Sequence, residues 1–476
     1  MANRVRNIFE NMSWMMASQI ITSVAAFVWT IIMARYLGVS DFGIFGTAVS
    51  FYAIFAVIND LGISPYILRS ISTDEEQEPK YLGVGLSLKI ILTILYFLTV
   101  FIALLILGWD NYIVSICLLF ALEDAIKAVY TFFYMPFQAH EKMKYQAISN
   151  IIVNVLTFLF IVLVTFTDWA LWGVAFAYIA ANIIAGIYTV IAVKKHIFLP
   201  KLMFDIDFSK NLIISGIPFA LSRLGYTIYY SIDMVMLTQF VGGYFTGLYN
   251  SSYKIISVLA LFYSIYTAVV FPVMSKLFKD EKSLLNMGFN KSVKYLSLVT
   301  IPLSIATLFY AGDVISIIYG NQYSDSANVL KILIWTVCFL FINGASSLVL
   351  EASHKEFSVT KIYAIAALFN VSLNLILIPK YNVFGASIAT VLSEILILSL
   401  ELYVLSKINQ LPDKKLVLDI SKIVISSILL GIFLYFANLN IWFAVPIGIM
   451  VYFVFIVLLR TFDEDDKFIF KQILNK

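Results

Sequence analysis

Fourteen apolar runs of roughly 20 residues or more divide this chain of 476 amino acids, at 12–36, 42–65, 81–107, 112–137, 146–167, 169–193, 211–240, 244–274, 292–310, 328–350, 358–378, 383–405, 418–437 and 440–460. A run of that length spans a bilayer core about 30 Å thick as a helix. Only a helix or a closed barrel satisfies its own backbone polar groups where lipid offers none. Composition points the same way. Hydrophobic residues make up 61% of the chain and charged residues 13%, against about 25% charged in a soluble domain. The expected fold class is an all-α polytopic membrane protein with fourteen transmembrane helices.

Lysine and arginine concentrate in cytoplasmic loops, and here their alternation sets the orientation. With the N-terminus inside, the even-numbered connections and the two tails hold 25 of the 32 Lys and Arg residues. The other seven are Arg35, Lys89, Lys127, Arg223, Lys254, Lys331 and Lys380, of which only Lys380 is clearly in an outer loop; Asp110, Asp168, Asp313 and Asp325 also fall outside. Both termini are expected in the cytoplasm, at the cytoplasmic (inner) membrane. The net charge of +3 follows from this topology and implies no nucleic-acid partner. The first apolar run is too long for a signal-peptide core and reads as the first helix. Cys117 and Cys338 lie within spans, so no disulfide framework is expected. Connections of at most about 20 residues leave no room for a soluble catalytic domain. No Gly-x4-Gly-Lys-Ser/Thr phosphate loop occurs. A protein that is not an enzyme, with no cofactor or metal, is expected. The acidic cluster Asp463–Asp466 reads as a solvated tail.

The chain also repeats itself. Gly38-Val-Ser-Asp-Phe-Gly43-Ile44-Phe45 and Gly242-Gly-Tyr-Phe-Thr-Gly247-Leu248-Tyr249 share Gly-x4-Gly, an aliphatic and an aromatic residue, 204 positions apart. His140-Glu-Lys-Met answers His354-Lys-Glu-Phe at 214. Trp172-Gly173-Val-Ala-Phe-Ala177 answers Phe384-Gly385-Ala-Ser-Ile-Ala389 at 212. Self-similarity at a near-constant period is the mark of an internal repeat. Both copies begin on the same side, so the repeat is parallel. The expected division is a six-helix bundle over 1–200, a second over 201–410, and accessory helices 13 and 14 with a tail over 411–476. Parallel repeats of this kind build alternating-access transporters, whose site lies near the bilayer midplane.

Charges inside the spans are the candidates for that site. Arg223 lies near the middle of the seventh helix, where a cation costs from ~2.5 to above 10 kcal/mol. Tyr226, Tyr230 and Asp233 share with it a sector about 80° wide at 100° per residue, although Asp233 is about 15 Å further along the axis. The alternative is a structural pairing of Arg223 with Glu123 or Glu394 on another helix. On the fourth helix Glu123 and Lys127 stand in the favourable i,i+4 order and would partly neutralise each other. Asp124 points about 100° away and is left for the cavity. Lys254, in the eighth helix, is a further cation, though lysine also snorkels. Arg35, Lys89 and Lys331 read as interfacial. Asp60 and Arg69 are candidates for an inner gate, and Gly38, Gly43, Gly242 and Gly247 for the outer closing turns. Three deep cations, Lys127, Arg223 and Lys254, suit an anionic substrate such as a diphosphate, which guanidinium matches in shape. Glu123, Asp124, Asp233 and Glu394 are candidates for ion coupling or charge pairing.

Ala34-Arg35-Tyr-Leu-Gly38…Phe42-Gly43, Asp60-Leu-Gly62 and Arg69 resemble the opening of the polysaccharide (O-antigen type) flippases of the multidrug/oligosaccharidyl-lipid/polysaccharide exporter superfamily. The resemblance continues through Gly247-Leu-Tyr-Asn-Ser-Ser-Tyr-Lys254, Phe271-Pro272, Ile318-Tyr-Gly320-Asn-Gln-Tyr323 and Ile378-Pro379-Lys-Tyr-Asn-Val-Phe-Gly385. Asn382 departs from it, standing where that family usually has glycine. The resemblance implies two six-helix bundles around a cationic cavity. It also implies a substrate, a polyprenyl-diphosphate-linked oligosaccharide, carried from the inner to the outer membrane leaflet for cell-surface polysaccharide synthesis. Membrane lipid would hold the polyprenyl tail, and a polysaccharide polymerase or glycosyltransferases would be the protein partners. The alternatives are a lipid II flippase and a cation-coupled multidrug exporter.

Overall fold

A computed structural model describes residues 2–464 and Asp466, apart from Glu75 and Glu281. Helix is the principal structure throughout, and the chain divides into two compact units, Met1–Asn250 and Ser251–Lys476. The first contains α1 (Ala2–Phe55), α2 (Ile63–Ile71), α3 (Glu78–Leu107), α4 (Asn111–Phe132), α5 (Tyr134–Ala139), α6 (Met143–Val164), α7 (Ala170–His196) and the beginning of α8 (Ile206–Asp280). The second contains the rest of α8, then α9 (Lys282–Tyr319), α10 (Ser326–Leu333), α11 (Trp335–Ala352), α12 (Glu356–Lys407), α13 (Lys414–Ala437) and α14 (Ile441–Leu458).

Three of these helices are too long to be single spans. At 1.5 Å per residue an unbroken α1 would be about 80 Å long, more than twice a bilayer core. It breaks at Gly38 (φ 75°, ψ 178°), α8 breaks at Gly242 (φ 83°, ψ 175°), and α12 breaks at Asn382 (φ 53°, ψ −134°). The first two lie in a backbone region that is essentially reserved for glycine. Residues with positive φ recur in pairs along the chain: Gly38 with Gly242, Gly108 with Gly320, Glu141 with His354, and Ala170 with Asn382. Among the described residues nine helices are long and apolar enough to cross a membrane, or ten if the bent pair Ile206–Leu221 and Arg223–Thr267 counts as one span.

Surface and core reverse the pattern of a soluble protein. Ile106, Phe436, Met450 and Leu458 are each more than two-thirds exposed, whereas α14 buries only Ala444, Gly448 and Ile456. Such surfaces fit lipid. The chain is a multi-pass membrane protein. In the first unit the core gathers Ile63, Leu82, Leu92, Phe132, Phe137 and Val193 between α2 and α7. In the second, Ile301, Cys338, Ile423 and Ile456 join α9, α11, α13 and α14.

The acidic cluster expected as a solvated tail is docked instead. Asp466 is fully buried and accepts from Lys291 at 2.5 Å, Lys294 at 2.6 Å and Tyr295 at 2.7 Å, all on α9. Asp463 accepts from Lys291 at 2.8 Å and pairs with Lys415 of α13 at 2.7 Å. Lys294, itself 2% exposed, also pairs with Asp419 at 2.7 Å. Charge runs are solvated when nothing faces them; here three lysines do. Asp465 and residues 467–476 lie outside the described residues.

Candidate functional site

The second apolar run, expected as one helix over 42–65, is interrupted. α1 ends at Phe55, turns occupy 56–62, and α2 starts at Ile63. Leu61 and Gly62 have φ of 43° and 73°. A Cβ on Gly62 would stand 2.2 Å from the carbonyl oxygen of Gly216, and one on Gly216 would stand 2.4 Å from that of Leu61. Two glycines therefore let the unwound segment touch α8 backbone to backbone, shortly before α8 bends by 48° between Leu221 and Arg223. Irregular backbone at membrane depth is tolerated where it is buried in protein or lines a cavity.

That segment carries Asn59 and Asp60, both buried. Asp60 accepts from the Ser64 hydroxyl and pairs with Lys89 of α3 at 3.1 Å, while Asn59 Oδ1 accepts from Thr93 at 2.6 Å. One expectation changes. Lys89 is not interfacial; it is 5% exposed and neutralises Asp60. Arg69, the other gate candidate, stands exposed in the last turn of α2. Arg69 is about 9 Å along that helix from its start, whereas the long stem of Lys89 reaches across from α3.

Glu123 stays within electrostatic reach of Lys127 and gains a second partner. Glu123 turns into the bundle, where Asn182 of α7 donates to its Oε1 at 2.8 Å; Tyr130 donates in turn to Asn182 Oδ1 at 2.9 Å. Below them Tyr134 donates to Ser149 at 2.9 Å, and Ser149 shares a hydrogen bond with Thr189 at 2.8 Å. Lys127 is left exposed. Asp124 lies beside Asn59 within electrostatic reach of Lys127, Lys89 and Arg223. Its Oδ2 is buried with no hydrogen-bond partner among the described residues.

Arg223 is exposed, and one turn on the rings of Tyr226 and Tyr230 pack with centroids 4.4 Å apart, Tyr226 being 52% exposed. Asp233, expected on the same stripe, is buried and accepts from the Tyr249 hydroxyl at 2.6 Å. The stripe thus divides into an open half with Arg223 and a closed half with Asp233. Two other candidates belong to the second unit. Lys254 is half-buried there, and Glu394 accepts from Asn343 Nδ2 at 2.7 Å. Asn182, Asn343 and Glu401 were missed by the sequence reading, and Lys89 was placed at the interface. Their shared signal was available, since each is a strongly polar residue inside or at the edge of an apolar run.

The two Gly-x4-Gly phrases meet within the first unit. A Cβ on Gly43 would stand 2.0 Å from the Gly243 carbonyl oxygen and 2.5 Å from the Gly247 nitrogen, and one on Gly247 would stand 1.9 Å from the Val39 carbonyl oxygen. Around this contact Thr47 and Thr238 share a hydrogen bond of 2.5 Å, Thr238 and Thr246 one of 2.9 Å, and Asn250 donates to the Phe42 carbonyl at 2.8 Å. Gly38 and Gly242 make the turns, while Gly43 and Gly247 allow the close approach.

The profile of a family described as polysaccharide biosynthesis proteins matches residues 8–278. The chain is 26% identical to an uncharacterized membrane protein of Methanocaldococcus jannaschii over 86% of its length and 87% of the relative's. It is 24% identical to the capsular polysaccharide biosynthesis protein CapF of Staphylococcus aureus, covering 81% of this chain and 96% of CapF. It is 25% identical to a putative O-antigen transporter of Escherichia coli K12, covering 78% and 90%. Among solved structures, the lipid II flippase MurJ in an inward closed conformation superposes with a TM-score of 0.77 at 18% identity over 94% of this chain and 98% of that one. An inward-facing multidrug transporter of the MATE family superposes with a TM-score of 0.65 at 13% identity, covering 82% and 96%. These likenesses, at such identities, establish the fold.

Proposed function

From the premise that this chain belongs to the polysaccharide biosynthesis protein family, within the multidrug/oligosaccharidyl-lipid/polysaccharide exporter superfamily, we propose that it flips a polyprenyl-diphosphate-linked oligosaccharide from the cytoplasmic to the outer leaflet by alternating access. One observation carries the choice of substrate. Among the first unit's charges singled out inside the spans, the cations Lys127 and Arg223 are exposed, while Asp60 is engaged by Lys89, Glu123 by Asn182, and the Asp124 Oδ2 is buried. What remains for a ligand is positive, and a guanidinium forks onto a diphosphate. Tyr226 and Tyr230 offer ring faces to a sugar beside it, and the polyprenyl tail stays in lipid. CapF of Staphylococcus aureus, by its name, serves capsular polysaccharide synthesis.

Fourteen spans with cytoplasmic termini remain the reading of the architecture. Dividing α1, α8 and α12 at Gly38, Gly242 and Asn382, and admitting α4 despite its Glu123, Asp124 and Lys127, turns the apolar helices into that number. The paired positive-φ residues support two bundles over 1–200 and 201–410 with accessory helices beyond. Partner proteins would be the polymerase or glycosyltransferases that use the glycolipid.

In proteoliposomes, wild-type protein is expected to flip lipid-linked oligosaccharide. Arg223→Ala should lower flipping at least tenfold, the effect of losing about 1.4 kcal/mol of binding, with unchanged protein yield. Arg223→Lys should recover part of it, as a point charge replaces a fork. Undiminished flipping by Arg223→Ala would overturn the diphosphate site. Transport of lipid II alone, or of organic cations with no dependence on Arg223, would assign the chain to the lipid II or drug-exporting branch.

A further inference from the structure

The second unit buries a carboxyl group that the proposed site does not use. Glu401 of α12 is 0% exposed. The Ser347 hydroxyl of α11 donates to its Oε1 at 2.5 Å, and its Oε2 is sealed from solvent with no hydrogen-bond partner among the described residues. Among the described residues the charged groups that face it are Glu394, two turns earlier on α12, and Glu351, one turn beyond Ser347 on α11. All three are acids. Two buried lysines elsewhere are compensated, Lys89 by Asp60 and Lys294 by Asp419 and Asp466. An ionised carboxylate at Glu401 would lack that compensation, a state costing several kcal/mol.

A hard metal cation does not resolve this. Such ions take six or more oxygen ligands, whereas one carboxyl and one hydroxyl meet here, and the hydroxyl's hydrogen already points to Oε1. A proton needs only Oε2. It moves between water and that oxygen, leaving a neutral acid when bound and a carboxylate when released, with no other bond made or broken. A route is present. Glu401 is six residues, about 9 Å, from the end of α12 at Lys407, and half-buried Glu351 stands in the last turn of α11 beside it.

The repeat sharpens the point. Glu394 and Glu401 lie 212 positions after Asn182 and Thr189, the separation that also relates Trp172-Gly173 to Phe384-Gly385. In the first unit these positions hold a neutral amide and a hydroxyl, both hydrogen-bonded. In the second they hold acids.

We propose that Glu401 is a proton-binding site of the second unit, loaded and unloaded through the nearby end of α12 during transport; its coupling to glycolipid movement rests on the function proposed above. The test uses the full chain in lipid nanodiscs, with infrared spectroscopy of the protonated-carboxyl carbonyl band, identified by its shift in D2O. One component of that band is expected near neutral pH in wild type and missing from Glu401→Gln; Ser347→Ala should retain it while moving its titration midpoint. A band unchanged in Glu401→Gln overturns the site, and so does a band unmoved in Ser347→Ala, which also covers a Glu401 variant that does not fold. In proteoliposomes an imposed proton gradient should accelerate glycolipid flipping by wild type, and that acceleration should be lost in Glu401→Gln. Equal acceleration in both overturns the coupling. Loss of that component in Glu401→Gln from a protein that flips no glycolipid at all supports the proton site and rejects the substrate.

Discussion

Asp60 and Lys89 show how single residues set the charge of this site. Each is nearly sealed from solvent, and each stands in an apolar stretch where alone it would be an uncompensated ion. Removing one partner of a buried pair costs roughly 3–5 kcal/mol, because the other charge remains. Asp60→Asn should therefore lower the melting temperature of the detergent-purified protein strongly. Adding Lys89→Met in the same chain should recover most of the loss, since replacing both partners is close to neutral. If the double variant melts no higher than Asp60→Asn alone, the pair is not what Asp60 contributes. This pair also marks the limit of what the sequence displays. Both charges were visible in their runs, and Arg223, Lys127 and Asp60 stood out by cost alone. Which way a side chain turns was not visible: the helical wheel put Asp233 with Arg223, whereas Tyr249 draws that acid inward, and the wheel did not show the hydrogen bond that Asn182 adds to Glu123. A wheel fixes directions on one helix and leaves out the partner that neighbouring helices supply.

Helix ends follow the sequence more closely than side-chain partners do. Gly38 and Gly242 lie 204 positions apart and adopt nearly the same backbone angles, since only glycine enters that region easily. The break before α2 was hidden, because Val57, Ile58 and Leu61 continue the apolar run through it and its cause, the contact of Gly62 with Gly216, is long-range. The docked acidic segment was hidden for the same reason. It fastens the chain beyond α14 to α9 and α13, and its charge state is secure. Burial raises the affinity of Asp463 for its proton, but hydrogen bonds from Lys291 and Lys415 outweigh burial and hold it well below the usual carboxylate range. Asp466 is lowered in the same way, burial being outweighed by Lys291 and Lys294. A carboxylate whose folded value is depressed stabilises the fold above its unfolded value, about 3.9, and loses that contribution as pH falls below it. Acidification from pH 8 to pH 5 should therefore leave this latch closed. Asp466→Asn should open it at any pH, seen as faster tryptic cleavage after Arg460 and a lower melting temperature. Equal cleavage of wild type and variant would show that the contact holds nothing.

At the scale of the whole molecule, alternating access requires that some tight contact in the structure be temporary. The meeting of the two glycine phrases is the best candidate. It joins the two glycine turns, its backbones touch at Gly43, Gly243 and Gly247, and the hydrogen bonds that cross it are few, Thr47 with Thr238 and Asn250 with the Phe42 carbonyl. Such bonds contribute about 0.5–1.5 kcal/mol each, enough to favour closure and little enough to be broken in each cycle. Thr47 and Thr238 are close enough for a cross-link, because hydroxyls 2.5 Å apart place the side chains within the reach of a disulfide. Both native cysteines, Cys117 and Cys338, are buried and free, so they compete little with an introduced pair. Thr47→Cys with Thr238→Cys should flip glycolipid when reduced, stop when oxidised, and resume on reduction. Each single variant should be indifferent to oxidant. Continued flipping by the oxidised pair, with the disulfide verified by mass spectrometry, would mean that this end stays shut throughout the cycle, and the movement would have to be sought at the unwound segment around Asp60.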